Sequence, residues 1–200
     1  MSFKLFSRVG GIVVLAAGLA GCIDVDMEIA VLDETTARAT TTSTMGADFY
    51  AMAKAGMAGS EEGEDGFCQE EGSVLTENAD GSATCVLVEE GAFTELEVGE
   101  GEDGAKFEVV SPGVVRVSFN TEDIKSEVGA AEQDEETKQM MQAFFEGHAI
   151  TMRISGVEVT ETNMTRTDDG KAAEIVIPFL DLINGTLELP EELYATVRTR

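Results

Sequence analysis

Three cysteines and a single histidine are the residues of this 200-residue chain with the most distinctive chemistry. The cysteines are Cys22, Cys68 and Cys85, and the histidine is His148. Nucleophilic catalysis by Ser or Cys needs a base beside the nucleophile, and His148 lies in no recognisable catalytic motif. Two Cys and one His complete a four-ligand zinc shell only if carboxylates join them. The sequence therefore indicates no catalytic residue and no metal site.

Cys22 ends an N-terminal segment with the features of an export signal. Two cations, Lys4 and Arg8, precede an apolar run over 9–20 that is short for a membrane span. The run ends in Leu19-Ala20-Gly21-Cys22, which resembles the lipobox of bacterial lipoproteins. That resemblance implies that Cys22 is linked by a thioether to diacylglycerol and becomes the first residue of the mature protein.

The resemblance divides the chain into a cleaved signal peptide, 1–21, and a single extracytoplasmic domain, 22–200, anchored through Cys22. The alternative is an uncleaved membrane anchor. Small residues before Cys22 and the absence of acids before Asp24 favour cleavage. Two or three acyl chains hold a protein in a bilayer durably, whereas one chain binds only marginally.

The remaining cysteines, Cys68 and Cys85, are predicted to form a disulfide, because an even pair of thiols in an oxidising compartment is most simply oxidised. Between them lies the turn sequence Asn78-Ala79-Asp80-Gly81, flanked by apolar residues. We therefore expect a hairpin pinned by one disulfide. The spacing is far from the Cys-x-x-Cys of redox enzymes.

The chain is strongly acidic, with 39 Asp and Glu against 13 Lys and Arg and a formal net charge of -26. This balance argues against nucleic acid as a partner. The acids cluster in segments predicted as loops near 59–66, 89–104 and 129–136. Solvation of the domain is the simpler interpretation of these loops, and weak capture of Ca²⁺ is the alternative.

The periodicity of apolar residues predicts an α+β domain of mostly antiparallel β-sheet with two short amphipathic helices. The first helix is expected to bury Phe49, Met52 and Ala53, with Gly56 and Met57, and the second to end at Gly147 before His148. The predicted elements are strand 23–31, strand 38–44, helix 46–58, the disulfide hairpin, a hairpin of 105–110 and 114–119, helix 134–147, strand 150–159 with a bulge at Ser155 and Gly156, a hairpin turn at 168–170, and a final strand over 187–197.

Two features of the body resemble mycobacterial LppM-type lipoproteins and their relatives. The lipobox Cys leads directly into an alternating strand, and the segment Ile154-Ser155-Gly156-Val157-Glu158-Val159-Thr160-Glu161-Thr162-Asn163 has the Gly-x-Val-x-x-x-x-Asn-like pattern that precedes a hairpin in that family. The resemblance implies an envelope-surface α+β domain without a settled enzymatic role. The disulfide hairpin and the acidic loops depart from that family.

These features together predict a non-enzymatic binding or interaction module, held at the lipid bilayer through Cys22, with an envelope protein as possible partner. Ile23, rather than Asp, after Cys22 resembles signals that permit export to the outer membrane, which favours its periplasmic face. The alternatives are a calcium-dependent acidic surface module and, as a third class, an enzyme that uses carboxylates. No cofactor is expected apart from the covalent lipid.

Overall fold

The computed structural model describes residues 23–57, 67–96, 98, 104–121, 142 and 145–200. Outside these residues lie the predicted signal peptide, Cys22, most of helix 134–147 and the acidic segments 59–66 and 129–136. Within the described ranges, no helix has the length and apolar character needed to cross a membrane.

The described residues form eleven strands and two helices. In chain order they are β1 (Ile23–Val31), β2 (Thr36–Met45), α1 (Ala47–Met57), β3 (Val74–Glu77), β4 (Ala83–Ala92), β5 (Lys106–Ser111), β6 (Val114–Asn120), β7 (Ala149–Ser155), β8 (Glu158–Thr162), β9 (Thr165–Arg166), β10 (Ala172–Pro178), α2 (Phe179–Ile183) and β11 (Glu192–Arg198).

The strands form two sheets. The large sheet has the order β3-β4-β2-β1-β7-β10-β9, and the small sheet has the order β5-β6-β11-β8. Neighbouring strands are antiparallel except β1 and β7, which run parallel at the centre of the large sheet. The predicted fold class, an α+β domain of mostly antiparallel sheet, is confirmed.

The two sheets share one hydrophobic core. Alternating residues of β1, β2, β6, β7, β10 and β11 point into it, as the period of two along a strand requires. Aligned rows such as Ala39, Ile29, Ile154 and Ala173 cross the large sheet. The large sheet contributes Ile29, Val31, Ala37, Ala39, Met152, Ile154, Ala173 and Ile177, and the small sheet contributes Val115, Val117, Phe119, Val159, Leu193, Ala195 and Val197.

Helix α1 occupies the predicted position but buries a different side chain. Tyr50 is 6% exposed and Met52 is 58% exposed, so the prediction that Met52 faces the core is wrong. Tyr50 packs edge-to-face against Phe67, with ring centroids 6.3 Å apart, and its hydroxyl donates to Glu77 at 2.7 Å. The aromatic ring buries a large apolar area while its hydroxyl stays hydrogen-bonded, which sets the rotation of the helix.

The disulfide hairpin is confirmed. Cys68 and Cys85 are bonded, with their Cα atoms 5.4 Å apart, and β3 pairs with β4 so that Leu75 lies opposite Cys85. The disulfide packs beside α1 in a second small core formed by Met45, Tyr50, Phe67 and Ala83. It therefore ties the segment before β3 to the sheet and to the helix.

The predicted strand 150–159 with a bulge is wrong, because the chain changes sheets at that point. β7 belongs to the large sheet and β8 to the small sheet. Gly156 lies between them, and a Cβ added there would be 2.9 Å from Val197 Cβ in β11. A one-residue slip in apolar phase accompanies a sheet change as readily as a bulge.

Two boundaries also differ from prediction. Glu89 and Glu90 do not lie in a loop but in β4, which continues to Ala92. Glu90 is held there because it lies opposite Arg38 of β2 and forms an ion pair with it at 2.6 Å. Residues 187–189 precede β11 and are not part of a strand. The hairpin of β5 and β6 is confirmed.

Candidate functional site

The structure describes the histidine and two of the three cysteines that the sequence analysis considered. Cys22 is outside the described residues, and its lipidation stays a prediction. Cys68 and Cys85 are consumed by their mutual disulfide, so neither sulfur is a free ligand or nucleophile. His148 immediately precedes β7, and its Nδ1 lies 3.2 Å from Oδ2 of Asp24, the second residue of β1.

The acidic residues that the structure describes do not converge on a metal site. Within those residues, no group of three or more His, Cys, Asp or Glu side chains has the arrangement that could hold an ion. Several instead anchor turns. Asp33 accepts from the hydroxyls and backbone N–H groups of Thr35 and Thr36, and the side-chain hydrogen bond from Thr36 is the largest cause lowering its pKa to about 2.

The pKa of one described carboxyl group, that of Glu70, is raised instead of lowered. Burial, with a smaller effect from the charge of Glu89, raises the pKa of Glu70 above its usual value. Opposed carboxyl pKa values in one cleft are a feature of acid and base catalysts. Glu70 precedes β3, whereas Asp33 lies in the turn between β1 and β2, so these two groups do not form such a cleft.

A pocket of about 410 Å³ opens where the chain passes from the large sheet to the small sheet. We call it the crossover pocket. The end of β1, the β7–β8 connection, the residue before β10 and the residue after Thr199 supply its walls. It is lined by Ala30, Val31, Leu32, Ser155, Gly156, Val157, Lys171 and Arg200.

Backbone hydrogen bonds fix the walls of the crossover pocket. Gly156 N–H donates to the carbonyl of Lys171 at 3.0 Å, and Val157 N–H donates to the carbonyl of Arg198 at 2.9 Å. These bonds join the β7–β8 connection to β10 on one side and to β11 on the other. The pocket is therefore bounded by paired backbone, and its shape follows from the sheets.

Both cations of the crossover pocket lack a carboxylate at ion-pair distance among the described residues. Five other described cations, Arg38, Lys54, Arg116, Arg153 and Arg198, form ion pairs with carboxylates at 2.6 to 2.7 Å. In the described part of the chain, Lys171 and Arg200 form no such pair, and neither do Lys106 and Arg166. Asp169 lies near Lys171, whose backbone N–H is the main cause of the lowered pKa of that carboxyl.

The apolar part of the crossover pocket is also accessible. Val157 is 46% exposed although it is apolar, and Leu32 is half-buried beside it. Pockets of this volume suit a small molecule, and they usually combine apolar walls with a few polar groups that orient the ligand. The crossover pocket therefore combines an apolar surface with two cationic residues, Lys171 and Arg200.

Ser155 is the hydroxyl-bearing residue of the crossover pocket, and it lacks a histidine partner. Its Oγ donates to Glu28 Oε1 at 2.8 Å. His148, the one histidine of the chain, precedes the opposite end of β7, roughly 20 Å away at 3.3 Å per strand residue. A Ser-His arrangement is therefore ruled out at this site by the length of the strand.

A second, smaller pocket of about 120 Å³ lies on the outer face of the large sheet. Asp26, Glu28 and Arg153 line it with three threonine hydroxyls, those of Thr40, Thr42 and Thr151. Arg153 is already paired with Glu174 at 2.6 Å. The ion pair commits Arg153, and this pocket has less than a third of the volume of the crossover pocket. We therefore take the crossover pocket as the candidate site.

Sequence reasoning did not identify Lys171, Arg200 or Leu32 as site residues. They come from three distant parts of the chain and meet because β10 pairs with β7 and β11 pairs with β8. The one local signal was Gly156, where the apolar phase slips. A glycine at a phase slip marks a close backbone approach, and here that approach forms a wall of the pocket.

Comparison with known proteins gives one similar solved structure. The NMR structure of the folded domain of LppM from Mycobacterium tuberculosis matches with a TM-score of 0.47 and 11% sequence identity, over 90% of this chain and 91% of that chain. No protein-family model matches the chain, and no curated protein matches it. At this level of similarity, no function, ligand or partner carries over between the two proteins.

Proposed function

We propose that this chain is a lipid-anchored lipoprotein of the bacterial envelope whose folded body is a non-enzymatic binding module. In this proposal residues 1–21 are removed, Cys22 carries the lipid, and the body presents a binding surface to its surroundings. The observation that carries it is the position of β1, which begins at Ile23, directly after Cys22, and ends at the crossover pocket.

The direct junction between anchor and body is what supports a fixed orientation. β1 pairs with β2 from Ile23 onward and with β7 from Val25 onward, so no flexible tether separates residue 22 from the sheet. Eight steps along β1 at about 3.3 Å each span roughly 26 Å. The crossover pocket then faces away from the bilayer, where a soluble ligand or another envelope protein reaches it.

The chemistry of the described residues favours binding over catalysis. The thiols of Cys68 and Cys85 are oxidised, and Ser155 has a carboxylate, not an imidazole, at hydrogen-bond distance. The outer membrane is the location we propose, because Ile23, rather than Asp, follows Cys22 in the sequence.

The test of anchoring is fractionation of cells that express the full chain or its Cys22→Ala variant, with mass spectrometry of the mature N-terminus. We expect the unaltered protein in the outer-membrane fraction with acylated Cys22. The Cys22→Ala form is expected to be soluble or unprocessed. Ser7→Ala, which keeps the charges and the lipobox, is the matched control and should behave as the unaltered protein. A Cys22→Ala form that fractionates like the unaltered protein contradicts the proposal.

The test of binding is crosslinking in intact cells followed by affinity capture, with the Cys22→Ala form as control. A single envelope protein captured with the anchored form and lost with the control supports the module. Calorimetric titration with millimolar Ca²⁺ separates the calcium-dependent alternative. Binding heat together with a raised melting temperature would favour that alternative over calcium-independent binding.

A further inference from the structure

We propose that the crossover pocket binds a small organic anion, whose carboxylate or phosphate group lies against Lys171 and Arg200 and whose apolar part contacts Leu32 and Val157. This inference rests on the proposed function, because it names the ligand class of that same binding module. It assigns a chemical character to a site that sequence reasoning did not identify.

Charge is the first step of the argument. The chain carries a net charge of -26, so its general field repels anions at long range. Screening confines that field to about 8 Å at physiological salt, and local charges then decide binding. Lys171 and Arg200 share one pocket and form no ion pair with a carboxylate in the described chain, unlike Arg38, Lys54 and Arg198.

Asp169 offsets only part of this local positive charge. Its Oδ1 already accepts from the Lys171 backbone N–H at 3.0 Å and from the Thr167 hydroxyl at 2.7 Å. Its carboxylate closes the turn before β10 and stays negatively charged, because these hydrogen bonds lower its pKa. With one carboxylate near Lys171 and a second cation at Arg200, the pocket keeps a positive excess.

Shape is the second step. A volume of about 410 Å³ falls within the range of small-molecule sites. Ala30 and Val31 at the end of β1 supply apolar lining, and Val157, another lining residue, is exposed. An anion with no apolar part would leave this surface in water, whereas a short alkyl chain covers it.

The test is calorimetric titration of the full chain, purified from membranes in a non-ionic detergent, with probes of one chain length. Hexanoate and hexyl phosphate represent the two anion sources. Hexanol keeps the apolar part without the charge, and acetate keeps the charge without the apolar part. We expect one or both six-carbon anions to bind at least about tenfold more tightly than hexanol and acetate, with affinity falling as salt is raised.

Variants assign the binding to the pocket. Lys171→Gln combined with Arg200→Gln is expected to weaken binding of the preferred anion by about tenfold or more, since both charged contacts are lost. Lys54→Gln combined with Arg38→Gln removes the same charge elsewhere and should leave the affinity unchanged. Val157→Glu, at an exposed position, should abolish binding by repulsion without disturbing the fold.

Equal affinity for hexanoate, hexyl phosphate and hexanol overturns the inference, as does unchanged anion affinity in the Lys171→Gln and Arg200→Gln double variant. Absence of binding by every probe at millimolar concentration overturns it too. None of these results touches the anchoring at Cys22 or the capture of an envelope partner, so the inference can fail while the proposed function stands.

Discussion

Gly156 is the position where a single methyl group has the most predictable effect on this protein. A Cβ there would lie 2.9 Å from Val197 Cβ, 3.1 Å from Val197 Cγ2 and 3.0 Å from the carbonyl oxygen of Arg198. These neighbours cannot easily retreat, because Val197 is fully buried in the shared core and Arg198 accepts the backbone hydrogen bond of Val157. Gly156→Ala therefore forces β11 and the β7–β8 connection apart.

The expected cost has two opposing parts. Overpacking of a well-filled core costs about 1–3 kcal/mol, and here the upper part of that range applies because a backbone atom is among the close contacts. Replacing Gly by Ala returns about 0.4–1 kcal/mol through the unfolded chain. The net loss in the free energy of unfolding is about 2 kcal/mol, which lowers the melting temperature by roughly 4–8 °C for a domain of this size.

The assay is thermal and urea unfolding followed by circular dichroism under non-reducing conditions. Gly91→Ala is the matched control, because a Cβ there meets Glu95 at 3.6 Å or more, an ordinary contact distance. It should be neutral or slightly stabilising. A Gly156→Ala protein that melts at or above the temperature of the unaltered protein would refute the close packing at the crossover.

Three further predictions concern other parts of the fold. Replacing both Cys68 and Cys85 by Ala should lower the free energy of unfolding by about 3 kcal/mol, since the disulfide closes a loop with a sequence separation of 17; an unchanged urea midpoint would contradict this. Thr199 has a buried hydroxyl without a hydrogen-bond partner in the described structure, so Thr199→Val should stabilise the fold by about 1 kcal/mol. Thr121→Val removes a hydroxyl that donates to the carbonyl of Pro190 and should destabilise the fold by a similar amount. Stability changes of the same sign in both variants would contradict this assignment. The pKa of Asp33 is about 2 in the folded protein against an ordinary 3.8, so its contribution to stability is present above about pH 4 and is lost as pH falls toward 2. The free energy of unfolding of Asp33→Asn should therefore depend less on pH across this window than that of the unaltered protein. The same pH dependence in both proteins would contradict this prediction.

Local patterns predicted the elements whose partners lie next to them in sequence. The alternation of β1 with acids outward, the Pro112-Gly113 turn between β5 and β6, and the Cys68–Cys85 hairpin all follow from neighbouring residues. In the structure Gly113 has a φ of 73°, as position i+2 of a type II turn requires. A short loop leaves few alternatives for which strand pairs with its neighbour in sequence.

Features that depend on distant partners were not predictable in the same way. The parallel pairing of β1 with β7 joins Val25 to Ile150, and no local pattern marks it. The same holds for the rotation of α1, which is decided by Phe67 and Glu77 rather than by the helix sequence. The crossover pocket is the extreme case, because its walls come from four segments that are joined by sheet pairing alone.

The central position of β1 has a mechanical consequence. A pull on residue 22 acts along the axis of β1, while its hydrogen bonds to β2 and β7 run across that axis. The hydrogen bonds of β1 to both neighbouring strands therefore share the force in shear, and they do not break one after another from one end. An attachment at the outer strand β9, by contrast, would let a tension of the same size peel the sheet one bond at a time.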